Sequence, residues 1–226
     1  MFRMTPVLLC DLDGTLVDTV HDLAAALNRL LAEAGLPARA ESEVRRLVGQ
    51  GAARLVADGF AAAGRPLSAG ELDTAVQQFL TIYNAGPAAH SPAYAGVQGT
   101  LARLCDTGWR LGVCTNKPQS PAEAILRALD LARYFDAVGG GDRFPTRKPD
   151  GAHVHATLEL MEVDAAHAVL VGDSRIDLMA ARDAGIPMVL VTYGYGEPGL
   201  TDLDPAAVID RFDALPGVLA GLRRGG

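Results

Sequence analysis

A short apolar run that ends in two carboxylates constrains this chain more than any other feature. Val7–Cys10 has the length of a strand, and its unbroken apolar character predicts burial on both faces. Asp11 and Asp13 follow at once, before a turn at Gly14-Thr15. Side chains two positions apart at a strand end point to the same side, so the two carboxylates converge on one small volume. Because like charges repel, the pair needs a cation or a proton between them.

A plainer interpretation of the same residues stays open at this point. Asp and Gly often follow strands because a carboxylate caps the next helix or closes a turn. Taken alone, Asp11 and Asp13 fit either interpretation. The choice between the two depends on what the other strand ends of the chain bear.

Apolar runs and helical periods alternate in the second half of the sequence. Arg110–Cys114, 137–139, 168–171 and 188–191 are predicted strands, with amphipathic helices between them. Strands that alternate with helices are typical of a parallel sheet with right-handed crossovers. The sequence therefore predicts an α/β core.

The stretch directly after the acidic strand end shows helical periods and no strand pattern. Thr19 is the predicted N-cap of the first helix, with Asp22 as its capping-box partner, and a second helix is predicted over Ser42–Val48. Glycines at 49 and 51 separate the second helix from a third, and a Ser68-x-x-Glu71 capping box opens a fourth. We therefore expect an all-helical insertion over residues 18–87, within a core formed by residues 1–17 and 88–226.

Composition excludes several classes of partner. The 226 residues have a net charge of −7 and are 49% hydrophobic, which favours a sizeable core and disfavours binding to nucleic acid or to a membrane surface. The sequence has no apolar run near the length of about 20 residues that a membrane span needs. Three cysteines without metal-ligand spacing predict a reducing, cytoplasmic location. The sequence leaves open whether the protein is a monomer or a homodimer.

Polar residues also follow two later strands and meet the first pair at one edge of the predicted sheet. Thr115 and Asn116 end the second strand, Asp173 ends the fourth, and Lys148 lies in the loop between them. Ser174 and Asp177 open the helix after the fourth strand. Carboxylates, one ammonium and neutral hydrogen-bond donors are what a metal-dependent phosphoryl-transfer site needs.

These segments together resemble the motif set of the haloacid dehalogenase-like hydrolase superfamily. Residues 11–19 (DLDGTLVDT) are similar to its first motif, Thr115-Asn116 to its second, Lys148 to its third, and Gly172-Asp173-Ser174 with Asp177 to its fourth. The four occur in order over nearly the whole chain. The resemblance implies a Rossmann-like parallel sheet with an inserted all-helical cap domain.

The resemblance also implies a role for each residue. Asp11 becomes the nucleophile that forms an aspartyl-phosphate, and Asp13 is the general acid and base. Mg²⁺ is held by Asp11, Asp173 and the backbone carbonyl of Asp13. Five further residues contact the phosphate or support the site. Thr115, Asn116 and Lys148 bind phosphate oxygens, and Ser174 and Asp177 assist as a helix cap or as ion-pair partners of Lys148.

A narrower resemblance is to the bacterial phosphoglycolate phosphatases. The loop Gly49-Gln50-Gly51 is similar to a glycine-rich cap loop of that group, and Gly51 is a candidate substrate-binding residue. The resemblance implies Mg²⁺-dependent hydrolysis of a small phosphate monoester, 2-phosphoglycolate. Arg45, Arg46 and Arg54 lie near this loop and are either carboxylate ligands or solvated helix charges.

Other functions stay open from the sequence alone. A related phosphatase for a sugar phosphate or pyrophosphate shares most of these features, and a β-phosphoglucomutase-like phosphomutase would return the phosphate to an isomeric hydroxyl. Dehalogenation is disfavoured because carbon–halogen chemistry does not need Asp13 as an acid and base. A catalytically idle binding protein on the same fold is the non-enzyme alternative.

Overall fold

The computed structural model describes residues 5–86 and 88–222. Within this part of the chain, six parallel strands form one sheet in the order β3-β2-β1-β4-β5-β6. The strands are β1 (Val7–Cys10), β2 (Arg110–Cys114), β3 (Ala137–Gly139), β4 (Ala168–Gly172), β5 (Met188–Val191) and β6 (Ala207–Ile209). The predicted α/β parallel sheet is confirmed.

Strand β1 lies in the centre of the sheet because it pairs on both sides. Leu9 is in register with Gly112 of β2 and with Leu170 of β4. The backbone N–H of Asp11 extends this pairing by donating to the carbonyl of Val171 at 2.9 Å. The residues that follow β1 therefore lie between those that follow β2 and β4.

Helices cover both faces of the sheet. Leu8 and Cys10 pack on one face with α5, α6 and α9, whereas Val7 and Leu9 pack on the other with α7 and α8. This two-residue alternation explains why β1 is buried on both faces, as its unbroken apolar run predicts. The helices are α5 (Val97–Asp106), α6 (Gln119–Ala128), α7 (Gly151–Leu160), α8 (Arg175–Asp183) and α9 (Leu215–Leu222).

The first four of the five helices between β1 and β2 form a hydrophobic cluster of their own. They are α1 (Val20–Glu33), α2 (Glu41–Arg45), α3 (Ala52–Ala62) and α4 (Ala69–Asn84), and we call them the helical cap. Helix α3 packs closely on α1 at Gly59, where an added Cβ would lie 2.8 Å from a methyl carbon of Leu27. An all-helical insertion at this position agrees with the sequence pattern.

The two chain crossings between cap and core lie side by side. Val17 and Ala93 form an antiparallel bridge, the N–H of Asp18 donates to the carbonyl of Pro92, and the N–H of Tyr94 donates to that of Leu16. The domain limits at 17/18 and 87/88 stay predictions. Residue 87 lies outside the described residues, as do residues 1–4 and 223–226 of the predicted core.

The structure corrects the predicted cap of the first helix. Thr19 directly precedes α1, but its side chain makes no capping hydrogen bond. The carboxylate of Asp22 turns away from it and accepts hydrogen bonds from the backbone N–H of His90 and the hydroxyl of Ser91. Asp22 therefore joins the cap to the second crossing instead of closing a capping box.

Two further elements differ from the sequence-based prediction. Helix α2 ends at Arg45, three residues before the predicted end at Val48, and turns continue to the glycine loop. Strand β6 and helix α9 follow the last predicted strand and complete one edge and one face of the core. Within the described residues, each helix is too short or too polar to cross a membrane.

Candidate active site

The predicted site residues lie at the carboxyl ends of β1, β2 and β4. Asp11 and Asp13 follow β1, and Thr115 and Asn116 follow β2. Asp173 follows β4, Ser174 caps α8, Asp177 lies in its first turn, and Lys148 precedes α7. The parallel strand order brings these separate segments to one edge of the sheet, where open α/β sheets bind their ligands.

Lys148 joins two of the predicted acids. Its Nζ donates to Oδ1 of Asp11 at 2.8 Å and to Oδ1 of Asp177 at 2.6 Å, and its side chain is 2% exposed. Burial lowers the pKa of Lys148, but the charges of Asp11 and Asp177 outweigh it and hold this pKa above its usual range. Lys148 is thus a permanent cation that orients the Asp11 carboxylate.

Three buried carboxylates converge beside this ammonium. One oxygen each of Asp11, Asp173 and Asp177 lies within 4.8 Å of the others. Burial raises the pKa of Asp11 to about 6, against the opposing charge of Lys148. Burial, together with the charges of Asp177 and Asp11, raises the pKa of Asp173 well above its usual range. One ammonium does not balance three carboxylates, so the group as a whole favours a cation.

The donor set fits Mg²⁺. All three groups offer carboxylate oxygens, which hard divalent cations prefer over nitrogen or sulfur ligands. The sequence had placed Asp177 in a supporting role, and the structure adds it to the group of acids. The predicted backbone ligand, the carbonyl of Asp13, stays a prediction.

Asp173 is held in one orientation by two donors from different segments. The hydroxyl of Thr15 donates to its Oδ1 at 3.1 Å, and the N–H of Tyr195 donates to its Oδ2 at 2.6 Å. Gly14 has a φ of +84°, and an added Cβ would lie 2.5 Å from Asp173 Oδ2. The glycine after the two acids is therefore required both by the turn and by the close approach of Asp173.

Ser174 and Asp177 cap helix α8 together. The hydroxyl and N–H of Ser174 both donate to Oδ2 of Asp177, and the N–H of Asp177 donates back to the Ser174 hydroxyl. This capping box leaves Oδ1 of Asp177 for Lys148. The two residues thus serve as helix cap and ion-pair partner at once, the two supporting roles that the sequence indicates.

Lys117 is a buried site residue that the sequence analysis did not assign. Its Nζ lies 3.0 Å from Oδ1 of Asp13 and 4.4 Å from the ring centroid of Tyr83 in cap helix α4. Burial lowers the pKa of Lys117, but the Asp13 charge, together with the Tyr83 side chain, outweighs it and holds this pKa above its usual range. Its position directly after the Thr115-Asn116 pair was a usable signal, because residues at that strand end face the site.

Asn116 connects the core to the glycine loop of the cap. Its Nδ2 donates to the carbonyl of Gly49 at 3.0 Å and to that of Lys148 at 2.9 Å. At Gly51, φ is +89° and an added Cβ would lie 3.3 Å from the Asn116 carbonyl oxygen. The hydroxyl of the neighbouring Thr115 accepts a hydrogen bond from the N–H of Lys117. The glycine loop therefore contacts the core beside the acids.

A cavity of about 40 Å³ separates the cap from these residues. Its floor consists of polar core residues and two prolines, and its roof is the apolar face of the cap. The floor residues are Asp11, Asp13, Thr115, Asn116, Lys117, Pro118 and Pro121, and the roof includes Leu23, Val48, Ala52, Leu55, Phe79, Leu80 and Tyr83.

Arg45 and Arg54, two of the arginines near the glycine loop, have other partners than the cavity. Arg45 lies 3.5 Å from Asp18 and 4.8 Å above the ring of Tyr195, and Arg54 pairs with Asp58 along α3. The Tyr195 hydroxyl donates to Asp18 and accepts from the N–H of Val20. These contacts form a polar junction where the cap leaves the core.

The match to known proteins agrees with this geometry. A family model described as haloacid dehalogenase-like hydrolase matches residues 8–191, which include every predicted site residue. The chain belongs to the haloacid dehalogenase-like hydrolase family. Two similar proteins are both named phosphoglycolate phosphatase. That of Caulobacter vibrioides is 45% identical over 91% of this chain and 87% of its own length. The protein from Agrobacterium fabrum is 41% identical over 94% of this chain and 91% of its own length.

Solved structures of the same fold include a protein described as a predicted phosphoglycolate phosphatase from Haemophilus somnus. It superposes with a TM-score of 0.87 at 30% identity and covers 96% of this chain and 99% of its own. CbbY from Rhodobacter sphaeroides, in complex with phosphate, superposes with a TM-score of 0.80 at 23% identity. The match covers 96% of this chain and 100% of CbbY. Both likenesses extend across cap and core, so this haloacid dehalogenase-like hydrolase has the fold that its sequence motifs imply.

Proposed function

We propose that this protein is a Mg²⁺-dependent phosphatase that hydrolyses 2-phosphoglycolate through an aspartyl-phosphate on Asp11. The contact of Lys148 with both Asp11 and Asp177, beside Asp173, supports this function most directly. Lys148 occupies Oδ1 of Asp11, so Oδ2 can attack phosphorus. The ammonium and the neighbouring carboxylates are groups that suit a phosphoryl-transfer site.

The residues divide the reaction between them. Asp11 attacks phosphorus, so that a bond forms to its carboxylate oxygen as the bond to the ester oxygen breaks. Asp13 gives its proton to the departing oxygen and then takes one from the water that hydrolyses the acyl-phosphate. Lys148 and the Thr115 hydroxyl bind phosphate oxygens. Mg²⁺, held by Asp11 and Asp173 with Asp177 beside them, would neutralise charge on the transferred phosphoryl group.

The cavity supports a small leaving group. Its roof is apolar, so the hydroxyls of a sugar would lose their water partners without gaining new ones there. A two-carbon acid needs little space and offers its charge to the polar floor. The names of the relatives from C. vibrioides and A. fabrum agree with this choice.

The cap is proposed to close over the phosphoryl group. Residues 18–87 would form the moving unit and residues 1–17 and 88–226 the fixed one. Closure excludes water during attack, and opening admits it for hydrolysis. Gly51 would bring the glycine loop against Asn116 in the closed state, which is the contact present in this structure. A small phosphorylated metabolite is the proposed partner, and the cytoplasmic location stays a prediction.

Phosphate release from a panel of esters tests the function. The panel contains 2-phosphoglycolate, a hexose phosphate and pyrophosphate, each with Mg²⁺ and after exhaustive chelation. We expect release to be fastest from 2-phosphoglycolate and to stop on chelation. An isomerised ester in place of free phosphate would identify a phosphomutase. If no ester is converted, the result would favour a catalytically idle binding protein.

A further inference from the structure

Lys117 is the buried cation of the cavity floor that the proposed reaction does not use. Lys148 donates to two carboxylates of the acidic group, whereas Lys117 pairs with one carboxylate of the described residues, that of Asp13. The Lys117 side chain is 4% exposed and also lies against the Tyr83 ring of the cap. An ammonium in so little solvent favours contact with an anion.

The position of Lys117 limits which anion it can meet. Asp13 is proposed to face the ester oxygen, and Lys117 Nζ lies 3.0 Å from it. An anionic group that reaches this ammonium from the cavity is therefore only a few bonds from the ester oxygen. A carboxylate bonded directly to the ester carbon satisfies this condition, because it is the shortest such arrangement.

We propose that Lys117 binds the carboxylate of the substrate and selects phosphate esters whose alcohol bears a carboxylate directly on the ester carbon. This inference rests on the proposed function and names the residue that recognises the leaving group. In the complex the Lys117 ammonium turns from Asp13 to the substrate carboxylate. Asp13 then faces the ester oxygen without a competing ion pair.

Two arginines of the cap are placed differently. Arg45 contacts Asp18 and the Tyr195 ring, and Arg54 pairs with Asp58 on the outer part of α3. Neither guanidinium lines the cavity, whereas Lys117 does. The ring of Tyr83, in cap helix α4, covers the Lys117 ammonium from the cap side. Lys117 Nζ would therefore contact both the closed cap and the substrate carboxylate.

The test compares two esters of similar size in matched variants. One is 2-phosphoglycolate and the other is 2-hydroxyethyl phosphate, which has a hydroxymethyl group in place of the carboxylate. We expect Lys117→Gln to lower kcat/KM for 2-phosphoglycolate by roughly 10- to 100-fold more than for 2-hydroxyethyl phosphate, the range of a charge-assisted hydrogen bond. Any effect through Asp13 is common to both esters and cancels in this ratio.

Two variants control the comparison. Lys117→Arg keeps the charge and should retain part of the preference, and Arg54→Gln removes a cation outside the cavity and should leave the preference unchanged. Equal losses on both esters in Lys117→Gln, or a loss of preference in Arg54→Gln instead, would overturn the role of Lys117. A wild-type protein that releases phosphate without preferring 2-phosphoglycolate would overturn the substrate assignment instead.

Binding measurements cover the case in which Lys117→Gln has no turnover. Calorimetry in an Asp11→Asn background gives the Kd of each ester without reaction, and circular dichroism checks the fold. In this background we expect Lys117→Gln to weaken the binding of 2-phosphoglycolate. The Kd of 2-hydroxyethyl phosphate should change by no more than about twofold. A wild-type-like Kd for 2-phosphoglycolate in that double variant would contradict the proposal.

Discussion

The Lys148 ammonium sets the charge balance of the acidic group. It contacts Asp11 and Asp177 directly, yet the pKa of Asp11 is still raised to about 6, and that of Asp173 is also raised well above its usual range. Burial is the largest cause for both acids. The metal-free protein therefore stores unfavourable electrostatic energy at these two side chains, which a bound cation can release.

This balance predicts how stability changes with pH. The folded pKa of Asp11 lies above its unfolded value of 3.8, so the folded state holds the proton more tightly. The contribution of Asp11 to the free energy of unfolding is therefore largest below pH 3.8. It falls by up to about 3 kcal/mol as the pH rises through about 6. Thermal unfolding of metal-free protein should show this fall, and Mg²⁺ should raise Tm more at pH 7 than at pH 4.5. Equal Mg²⁺ effects at both pH values would contradict it.

Replacement of the proposed nucleophile should separate activity from folding. Asp11→Asn keeps the shape of the side chain but removes the charge that attacks phosphorus, so we expect kcat to fall by at least about 10⁴-fold. Tm should not fall, because the change also removes a buried charge. Asp202→Asn, at an exposed position, is the matched control and should leave both quantities unchanged. Turnover in Asp11→Asn would require a different nucleophile.

The loop between α2 and α3 is the element where cap and core meet beside the acids. Gly49 and Gly51 have φ values of +109° and +89°, so both need the left-handed region that glycine adopts freely. They differ in their surroundings. An added Cβ at Gly51 would lie 3.3 Å from the Asn116 carbonyl oxygen, whereas at Gly49 it would meet no described atom within 4 Å.

This difference makes the two glycines a matched pair of test positions. Gly49→Ala and Gly51→Ala should each cost about 1–2 kcal/mol of stability from backbone strain. Gly51→Ala should in addition push the loop from Asn116 and lower kcat/KM for 2-phosphoglycolate roughly 10-fold below that of Gly49→Ala. Steady-state kinetics and thermal unfolding of both variants check this. Equal kinetics in the pair would show that the loop only connects two helices.

The elements that the sequence predicts are those with long or unbroken apolar patterns. Strands β1 to β5 were predicted close to their observed limits, with helices between them. Strand β6 is a short edge strand, and the first turn of α9 contains Pro216 and Gly217, residue types that the usual rules treat as helix breakers. The pairing of Lys117 with Asp13 and of Asp22 with Ser91 depends on tertiary placement of side chains, which spacing along the chain does not encode.

At the scale of the whole molecule, Tyr195 links the acidic group to the base of the cap. Its backbone N–H donates to Asp173, its hydroxyl contacts Asp18 and Val20, and its ring lies under Arg45. A single residue from the loop after β5 thus contacts a proposed metal ligand and the first crossing of the chain. We interpret this junction as the part of the hinge that fixes the cap relative to the site.

Tyr195→Phe tests this role. The change removes two hydroxyl hydrogen bonds but keeps the ring under Arg45 and the backbone bond to Asp173. We expect a loss of about 1–3 kcal/mol in stability and an unchanged affinity for Mg²⁺. Tyr134→Phe is the control, because that hydroxyl accepts a hydrogen bond only from neighbouring Arg133 at the surface and should matter little. A weaker Mg²⁺ affinity in Tyr195→Phe would place the residue in the metal site itself.

The side-by-side crossings have a consequence for how such a protein changes over time. Because residues 17–18 and 92–94 are hydrogen-bonded to each other, the segment between them begins and ends at nearly the same point in space. A segment with adjacent ends can be lengthened, shortened or exchanged without moving the strands that position Asp11, Lys148 and Asp173. The apolar roof over the leaving alcohol can therefore change in evolution separately from the core, which bears the reacting groups and Lys117.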